Sequence, residues 1–288
     1  ASGNATFWIK VPFLENNATA KVYLYYGNSN ASSESNGTAT FEFFDDFETY
    51  SLGDLQGQDG WYSVNYGNAY VSGTIDVQDT EVAHNSQAVQ GTNSGTEMVC
   101  KDIDLSLTKF VLEYKFKFEQ YGNTIAVVLK DSSGNWVGVG VNPPDSSNTN
   151  PVYATGSDTW SGFGSNIAYP SSWFDVIVKF DGNSYDYIEV NGQTTSATLS
   201  YSLSDIKSVC IADRGKSAWG RWDLIKIRKY AFPEPSIATI GEEQAVTSTD
   251  SSGNYSYTFK APLEAGTHEI KVNLTNENGI YGENSTTL

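Results

Sequence analysis

Residues Phe110–Glu119 read FVLEYKFKFE. Apolar side chains stand at 110, 112, 114, 116 and 118, and every second residue from 113 onward is charged. A period of two is the pattern of a strand with one face in a core and the other in water. The same reading extends in both directions. Candidate strands lie at 69–78, 86–90, 97–105, 124–130, 136–142, 174–180, 185–190, 193–199, 208–212 and 221–230. Asp131-Ser-Ser-Gly134, Asp181-Gly-Asn183 and Asn191-Gly192 supply turn residues between them. Phe174–Val178, FDVIV, is more continuously apolar and is expected at a central position. No amphipathic helix is visible, and Leu203–Ile206 is at most one short turn. Many short antiparallel strands in one block point to a two-sheet sandwich or jelly roll.

The block opens at Phe41–Glu48, FEFFDDFE, and closes near Trp222–Arg228, WDLIKIR. Before it, FWIKV (7–11) and KVYLYY (21–26) read as two strands, followed by a small-polar loop over 27–39. After it, Pro233-Glu-Pro235 reads as an extended linker. Three more strands follow at 254–260, 268–274 and 280–288. The expected organisation is a partial β-domain over 1–40, a jelly roll over 41–232, a linker over 233–245 and a partial module over 246–288. Neither end piece has enough strands to fold alone.

The 34 acids exceed the 17 bases, and the net charge is -17. That disfavours nucleic acid and anionic membrane surfaces as partners. No apolar run reaches the length of a membrane span. The chain opens on Ala1 in polar residues, so any leader is expected to have been removed or to lie outside this stretch. Asn-x-Ser/Thr sequons fall at Asn4, Asn17, Asn30, Asn36, Asn254, Asn273 and Asn284, with none between Asn36 and Asn254. They point to glycosylated ends and an extracellular or cell-surface location. Cys100 and Cys210 are either one disulfide or two buried thiols.

The run FWIKV…AKVYLYYGNSNASSESNGTATFEFFDDFE resembles the second half of a β-domain of unknown function found in secreted archaeal and bacterial proteins. In that family a concanavalin-A-like or laminin-G-like jelly roll follows, ending in a strand like WDLIKIRKY and a Pro-Glu-Pro linker. The resemblance covers about residues 7–241. The tail GNYSYTFKAPLEAGTHEIKVNLTNENGIYGENSTTL is similar to immunoglobulin-like modules of archaeal surface proteins. The resemblance therefore implies an all-β chain, a concanavalin-A-like jelly-roll sandwich flanked by short immunoglobulin-like β-sheet units. The first domain lacks its N-terminal half and the last module its early strands. Either the chain is a fragment of a larger protein, or the two part-sheets complete each other, within one chain or between neighbours.

The resemblance also implies a structural calcium ion between the opening acidic strand and the closing strand. Asp45, Asp46 and Asp223 are the matching acids. Without a metal, Asp45 and Asp46 cap strand ends or meet Arg221 or Arg228. The Glu-x-Asp-x-x-Glu strand of glucanases with this fold is missing, and the nearest string, Asp186-Tyr-Ile-Glu189, lacks the third acid. His84 and His268 stand far apart, and no zinc spacing or nucleophile motif occurs, so no enzyme is expected. A sugar site needs exposed aromatics beside polar groups. The region 142–173 reads as loop and offers Trp160 first, with Tyr153 and Trp173.

Two functions follow from these residues. The first is an extracellular, N-glycosylated structural or adhesive surface protein, a filament or sheath subunit joined to copies of itself by strand exchange through its end segments. The second is a carbohydrate-binding module of a larger secreted protein, with a polysaccharide as partner.

Overall fold

The computed structural model describes residues 7–12, 14, 18–25, 32–65, 73–92, 96–119, 125–145, 148–156, 159–168, 170–214, 220–236, 269–276 and 279–287. The chain divides into two units, one of residues 37–232 and one of residues 1–36 with 233–288.

The larger unit is a sandwich of two antiparallel sheets. One sheet has seven strands, in the order Thr159–Gly162, Asn148–Gly156, Trp136–Asp145, Ile125–Lys130, Ile206–Arg214, Thr96–Leu105 and Trp61–Ser63. The other has nine. Its path runs Gln193–Thr198, Ser184–Val190, Phe174–Asp181, Lys109–Phe118, Gly220–Lys229, Ala88–Gly91, Ile75–Gln78 and Gly53–Asp54. Phe43–Asp45 lies off that path and pairs with Gly220–Lys229. Each order contains a run of consecutive hairpins, Ile125–Lys130 to Thr159–Gly162 in one sheet and Phe174–Asp181 to Gln193–Thr198 in the other, while the central neighbours come from distant parts of the chain, as two stacked sheets with crossing connections require.

Alternation decides which side chains enter the core. Phe110, Leu112, Tyr114, Phe116 and Phe118 are buried, while Glu113, Lys115 and Lys117 are half-buried. Phe174–Asp181 does hold an interior place in its sheet, but Asp175 on its outer face is exposed. The core is strongly aromatic, with Phe110 against Phe180 at 5.3 Å, Tyr153 against Tyr185 at 5.4 Å and Phe116 against Trp222 at 5.7 Å between ring centres. Two buried tyrosines tie the sheets through their hydroxyls. Tyr114 donates to the Val139 carbonyl at 2.5 Å. Tyr185 accepts from the Gly138 amide and donates to the Ala154 carbonyl, each at 3.0 Å.

The hairpin turns sit at the expected residues. Asn191 and Gly192 both have positive φ between the paired Val190 and Gln193, as a two-residue turn of this kind needs. Asp131 folds its own turn: its carboxylate accepts the Ser133 and Asn135 amides at 2.9 and 2.7 Å. Elsewhere the sequence reading fails. The stretch taken as loop over 142–173 contains two strands, Asn148–Gly156 and Thr159–Gly162. Its Pro, Ser, Asn and Gly content suggests loop, but Trp136–Asp145 offers it a free strand edge to pair with. Residues 37–40, at the end of the expected small-polar loop over 27–39, form one helical turn.

In the smaller unit FWIKV forms no strand, and KVYLYY shortens to Leu24–Tyr25. That strand pairs with Glu269–Asn276, which pairs in turn with Gly279–Thr287. The end segments, read as two separate part-domains, thus share one three-stranded sheet within the chain. The expected strand at 254–260 lies outside the described residues, as does the linker beyond 236. Among the described residues no helix is long and apolar enough to cross a membrane, which says nothing of a β-barrel.

Cys100 and Cys210 are Cα partners on adjacent strands, 4.0 Å apart, and are joined as a disulfide. The bridge lies on the outer face of the seven-stranded sheet, in an apolar cluster with Met98, Ala126, Val128, Trp136 and Ala212. It closes a loop of 110 residues. Replacing both cysteines by alanine is expected to lower unfolding free energy by about 4 kcal/mol in the chain-entropy account. Urea titration of the two forms measures it, and a difference below about 1 kcal/mol would show that the unfolded chain is already restrained there.

Candidate functional site

The acids expected to hold calcium are already engaged. Asp45 is buried on the strand beside Ile225. Its Oδ1 accepts the Phe47 amide at 3.0 Å, and its Oδ2 accepts the Tyr50 hydroxyl at 2.6 Å and the Trp61 indole N–H at 3.2 Å. Burial raises its pKa, and these donors pull against that rise. The contact with Phe47 closes a turn in which Phe47 takes φ of 60°, a conformation rarely open to an aromatic residue. Asp46 accepts the Glu48 amide at 3.4 Å.

Asp223 and Glu48 work together on one segment. Asp223 Oδ2 accepts the Ala83 and His84 amides at 2.9 and 2.8 Å. Glu48 Oε1 accepts the Ser86 and Gln87 amides at 2.9 and 2.8 Å. Four backbone donors of residues 83–87 are answered by two carboxylates, one from the opening segment and one from the closing strand. Asp223 is buried, and desolvation lifts its pKa to about 7. Among the described residues no three acidic, His or Cys side chains gather as a metal site. The oxygens of Asp45, Asp46 and Asp223 serve hydroxyl, indole and backbone donors. Arg221 and Arg228 pair with Glu119 and Glu113 at 2.6 and 3.2 Å.

The three aromatics expected to bind sugar do not come together. Tyr153 turns inward onto Tyr185 and Phe163. Trp160 pairs with Ala154, the next residue along, so it lies on the opposite, outer face, against the disulfide cluster. Trp173 precedes the strand Phe174–Asp181 of the other sheet. Asp186 is exposed, and the half-buried Glu189 accepts the Tyr187 hydroxyl at 2.5 Å; the register shift between Tyr185 and Ile188 leaves both acids off the core face, which Tyr185, Ile188 and Val190 occupy. Of the sequon residues, Asn36 is exposed, and Asn273 and Asn284 lie on the strands Glu269–Asn276 and Gly279–Thr287. Asn4, Asn17, Asn30 and Asn254 lie outside the described residues, and so does His268.

The outer face of the seven-stranded sheet carries an arrangement that spacing in the sequence does not reveal. Trp136 pairs with Lys130, Lys130 with Ser208, and Ser208 with Asp102. These four side chains form a row across four adjacent strands, about 14 Å long at the usual strand spacing. The Lys130 ammonium sits over the Trp136 ring, 4.8 Å from its centre. Burial lowers the Lys130 pKa to about 8. At the other end the half-exposed Tyr62 donates to Asp102 at 2.7 Å, and Lys207 reaches the same carboxylate at 3.4 Å. Trp136 and Ser208 are buried, so the row presents to solvent the half-buried Lys130 amine, the exposed Asp102 carboxylate and the exposed Tyr62 ring. The readable signal was the alternation of each strand; the register that aligns them was not in it.

Residues 1–64 match the model of a domain of unknown function (DUF2341), a match that runs past residue 40 into the sandwich. None of the curated proteins compared with the chain matches it. Among solved structures the chain is similar to the carbohydrate-binding module CBM66 from Bacillus subtilis, at 13% identity over 61% of this chain and 99% of that one, with a TM-score of 0.38. It is similar to a Bacillus licheniformis beta-glucanase at 13% identity, over 65% and 98%, with a TM-score of 0.40. It is also similar to the GH43 protein BlXynB from Bacillus licheniformis at 13% identity, over 65% and 39%, with a TM-score of 0.42.

Asp45→Ala leaves the Tyr50 hydroxyl, the Trp61 indole and the Phe47 amide without their acceptor. The expected loss is about 3 kcal/mol or more, read from urea denaturation. Asp223→Asn keeps an acceptor for the two amides and removes the charge. A carboxyl whose folded pKa is raised from 3.8 to about 7 weakens the fold as pH climbs through that window. The variant is therefore expected to gain on the wild type between pH 4 and pH 7, by up to about 4 kcal/mol. A pH-independent difference between the two would show that Asp223 stays ionised throughout.

Proposed function

We propose that this chain is an extracellular module that binds carbohydrate without turning it over. The observation that carries the reading is the row Trp136–Lys130–Ser208–Asp102 across the outer face of the seven-stranded sheet, with Tyr62 at its end. Sugars present apolar ring faces and hydroxyls in alternation. A site for them combines an aromatic surface with fixed donors and acceptors. In the row Tyr62 offers the exposed ring, with Asp102 and Lys130 as acceptor and donor, while Trp136 and Ser208 are buried. Trp160, on the same outer face at the sheet edge, extends the aromatic surface. The sequons support an extracellular setting.

The filament reading is less well supported. It needs end segments whose strands lack partners inside the chain, and Leu24–Tyr25 already has one in Glu269–Asn276.

Affinity electrophoresis of the full chain through gels containing neutral and acidic polysaccharides tests the proposal. Retardation is expected in at least one gel. Lys130→Ala and Asp102→Ala should each weaken it by about tenfold or more, as loss of a charged hydrogen-bond partner does. Asp186→Asn should leave it unchanged. Migration unaffected by every polysaccharide, or retardation indifferent to Lys130 and Asp102, would overturn the reading.

A further inference from the structure

Glu97 and Asp213 are Cα partners on the adjacent strands Thr96–Leu105 and Ile206–Arg214. Both point between the sheets, since Val99 follows Glu97 and Val209 and Ile211 precede Asp213 at core positions. Asp213 is 0% exposed and Glu97 1%. Side chains directly opposite on paired strands stand about 5 Å apart at Cβ, so the two acids are immediate neighbours. Each also reaches the nine-stranded sheet. Asp213 Oδ2 accepts the Gly220 amide at 3.2 Å, where the closing strand begins. Glu97 Oε1 meets the Thr92 hydroxyl at 3.5 Å, just past Ala88–Gly91. The pair thus joins the two sheets at one end of their strands.

Beyond those two contacts the carboxyl groups are poorly served. Asp213 Oδ1 and Glu97 Oε2 are buried with no hydrogen-bond partner. A Cβ on Gly91 would come 3.0 Å from the Asp213 Cγ, and one on Gly73 would collide with the Glu97 carboxylate, so both groups are packed closely against backbone. The charged side chains nearby do not neutralise them. Asp76, on the facing strand Ile75–Gln78, is a third anion acting on Glu97. Lys101, on the same face of the Glu97 strand, is held by Asp59 at 2.5 Å. Arg221, next to Gly220, is held by Glu119 at 2.6 Å. Ala88–Gly91 carries no charge, and Ile125–Lys130 meets Asp213 with Ile125. Among the described residues neither acid has an ion-pair partner.

Two adjacent anions cannot stay in a dry, close-packed interior unanswered. A proton is the one counter-charge that needs no room. A carboxyl that keeps its proton is uncharged, and its O–H is a donor where donors are short. We propose that Glu97 and Asp213 form a pH-sensitive latch between the two sheets: the folded chain keeps the pair protonated through neutral pH, and loss of its protons in alkaline solution sets two like charges side by side and drives this end of the sandwich apart. Desolvation and the neighbouring Asp213 push Glu97 up to about 9, and burial holds Asp213 well above the carboxylate range. In the unfolded chain both groups ionise near about pH 4. The folded state therefore binds more protons than the unfolded one across that window. The latch is fully closed below it and weakens as pH climbs through it. Asp223 acts in the same sense only up to about 7, so from pH 7 to pH 9 the carboxyl group still titrating belongs to the pair. The latch does not depend on carbohydrate binding.

The test is the melting temperature of the full chain between pH 7 and pH 9, beside a double variant carrying Glu97→Gln and Asp213→Asn, which keeps the shapes and removes the ionisable groups. Relative to that variant the wild type is expected to lose about 3 °C or more per pH unit, the weight of one proton in a domain of this size. Lys130, lowered to about 8, works in the opposite sense but is common to both proteins. A wild-type profile that runs parallel to the variant's overturns the proposal. If the double variant does not fold, infrared spectroscopy of the wild type decides. At pH 8 exposed carboxyls are ionised and Asp223 largely so. A protonated-carboxyl stretch that persists there and bleaches as the pH is raised further sustains the latch; its absence at pH 8 ends it.

Discussion

A carboxylate taken out of water inside a β-sandwich must be met by donors, by a cation or by a proton. This constraint runs through the larger unit. Asp45 is met by a hydroxyl, an indole and an amide. Asp131 is met by the amides of the turn that it folds. Asp223 and Glu48 are met by the backbone of residues 83–87. In each case the acid supplies acceptors where strands end and ladder partners run out. The opening and closing segments are joined this way as much as by the pairing of Phe43–Asp45 with Gly220–Lys229. Glu97 and Asp213 stand apart because their environment offers almost no donors, and that contrast gives them their meaning.

The two faces of the seven-stranded sheet do different work. Its inner face packs Val137, Val139, Val141, Val127 and Leu129 into the aromatic core. Its outer face is small and apolar at the centre, with the disulfide, Ala126, Ala212 and Val128. Gly138 and Gly140 keep that centre flat; a Cβ on Gly140 would run into the backbone of Ile125 and Ala126. The larger polar and aromatic side chains are pushed to one end, where Trp136, Lys130, Ser208 and Asp102 align. A flat apolar floor with a polar, aromatic row at its end is what steric exclusion by glycine and a cross-strand disulfide produce together.

Much of the fold was legible because alternation is a local property. FVLEYKFKFE declares its buried face without reference to any partner, and Asn191-Gly192 declares its turn. The strands of residues 148–162 were illegible because their local chemistry is that of loop, and only the edge offered by Trp136–Asp145 makes them strands. The site was less legible for a related reason. Asp45 and Asp223 stood out as acids in a pattern, but the donors that claim them come from residues 2 to 140 positions away. Trp160 was picked out as a loop residue and is a strand residue with an outer face. Glu97 and Asp213 occupy core-facing positions of their strands, yet a lone acid in an alternating strand reads as a solvent position unless the register and the facing sheet are known.

The row and the buried pair lie at opposite ends of the same strands. Lys130 pairs with Ser208 and Ile125 with Asp213, so the five-residue step along either strand separates them by about 17 Å. They also lie on opposite faces of the sheet, the row outward and the acids inward. No hydrogen bond runs from one group to the other among the described residues; what they share is the backbone of Ile206–Arg214 and its neighbours. Along Ile206–Arg214 the disulfide of Cys100 and Cys210 stands between the two groups, separating the end where charge is buried from the end where polar groups face outward.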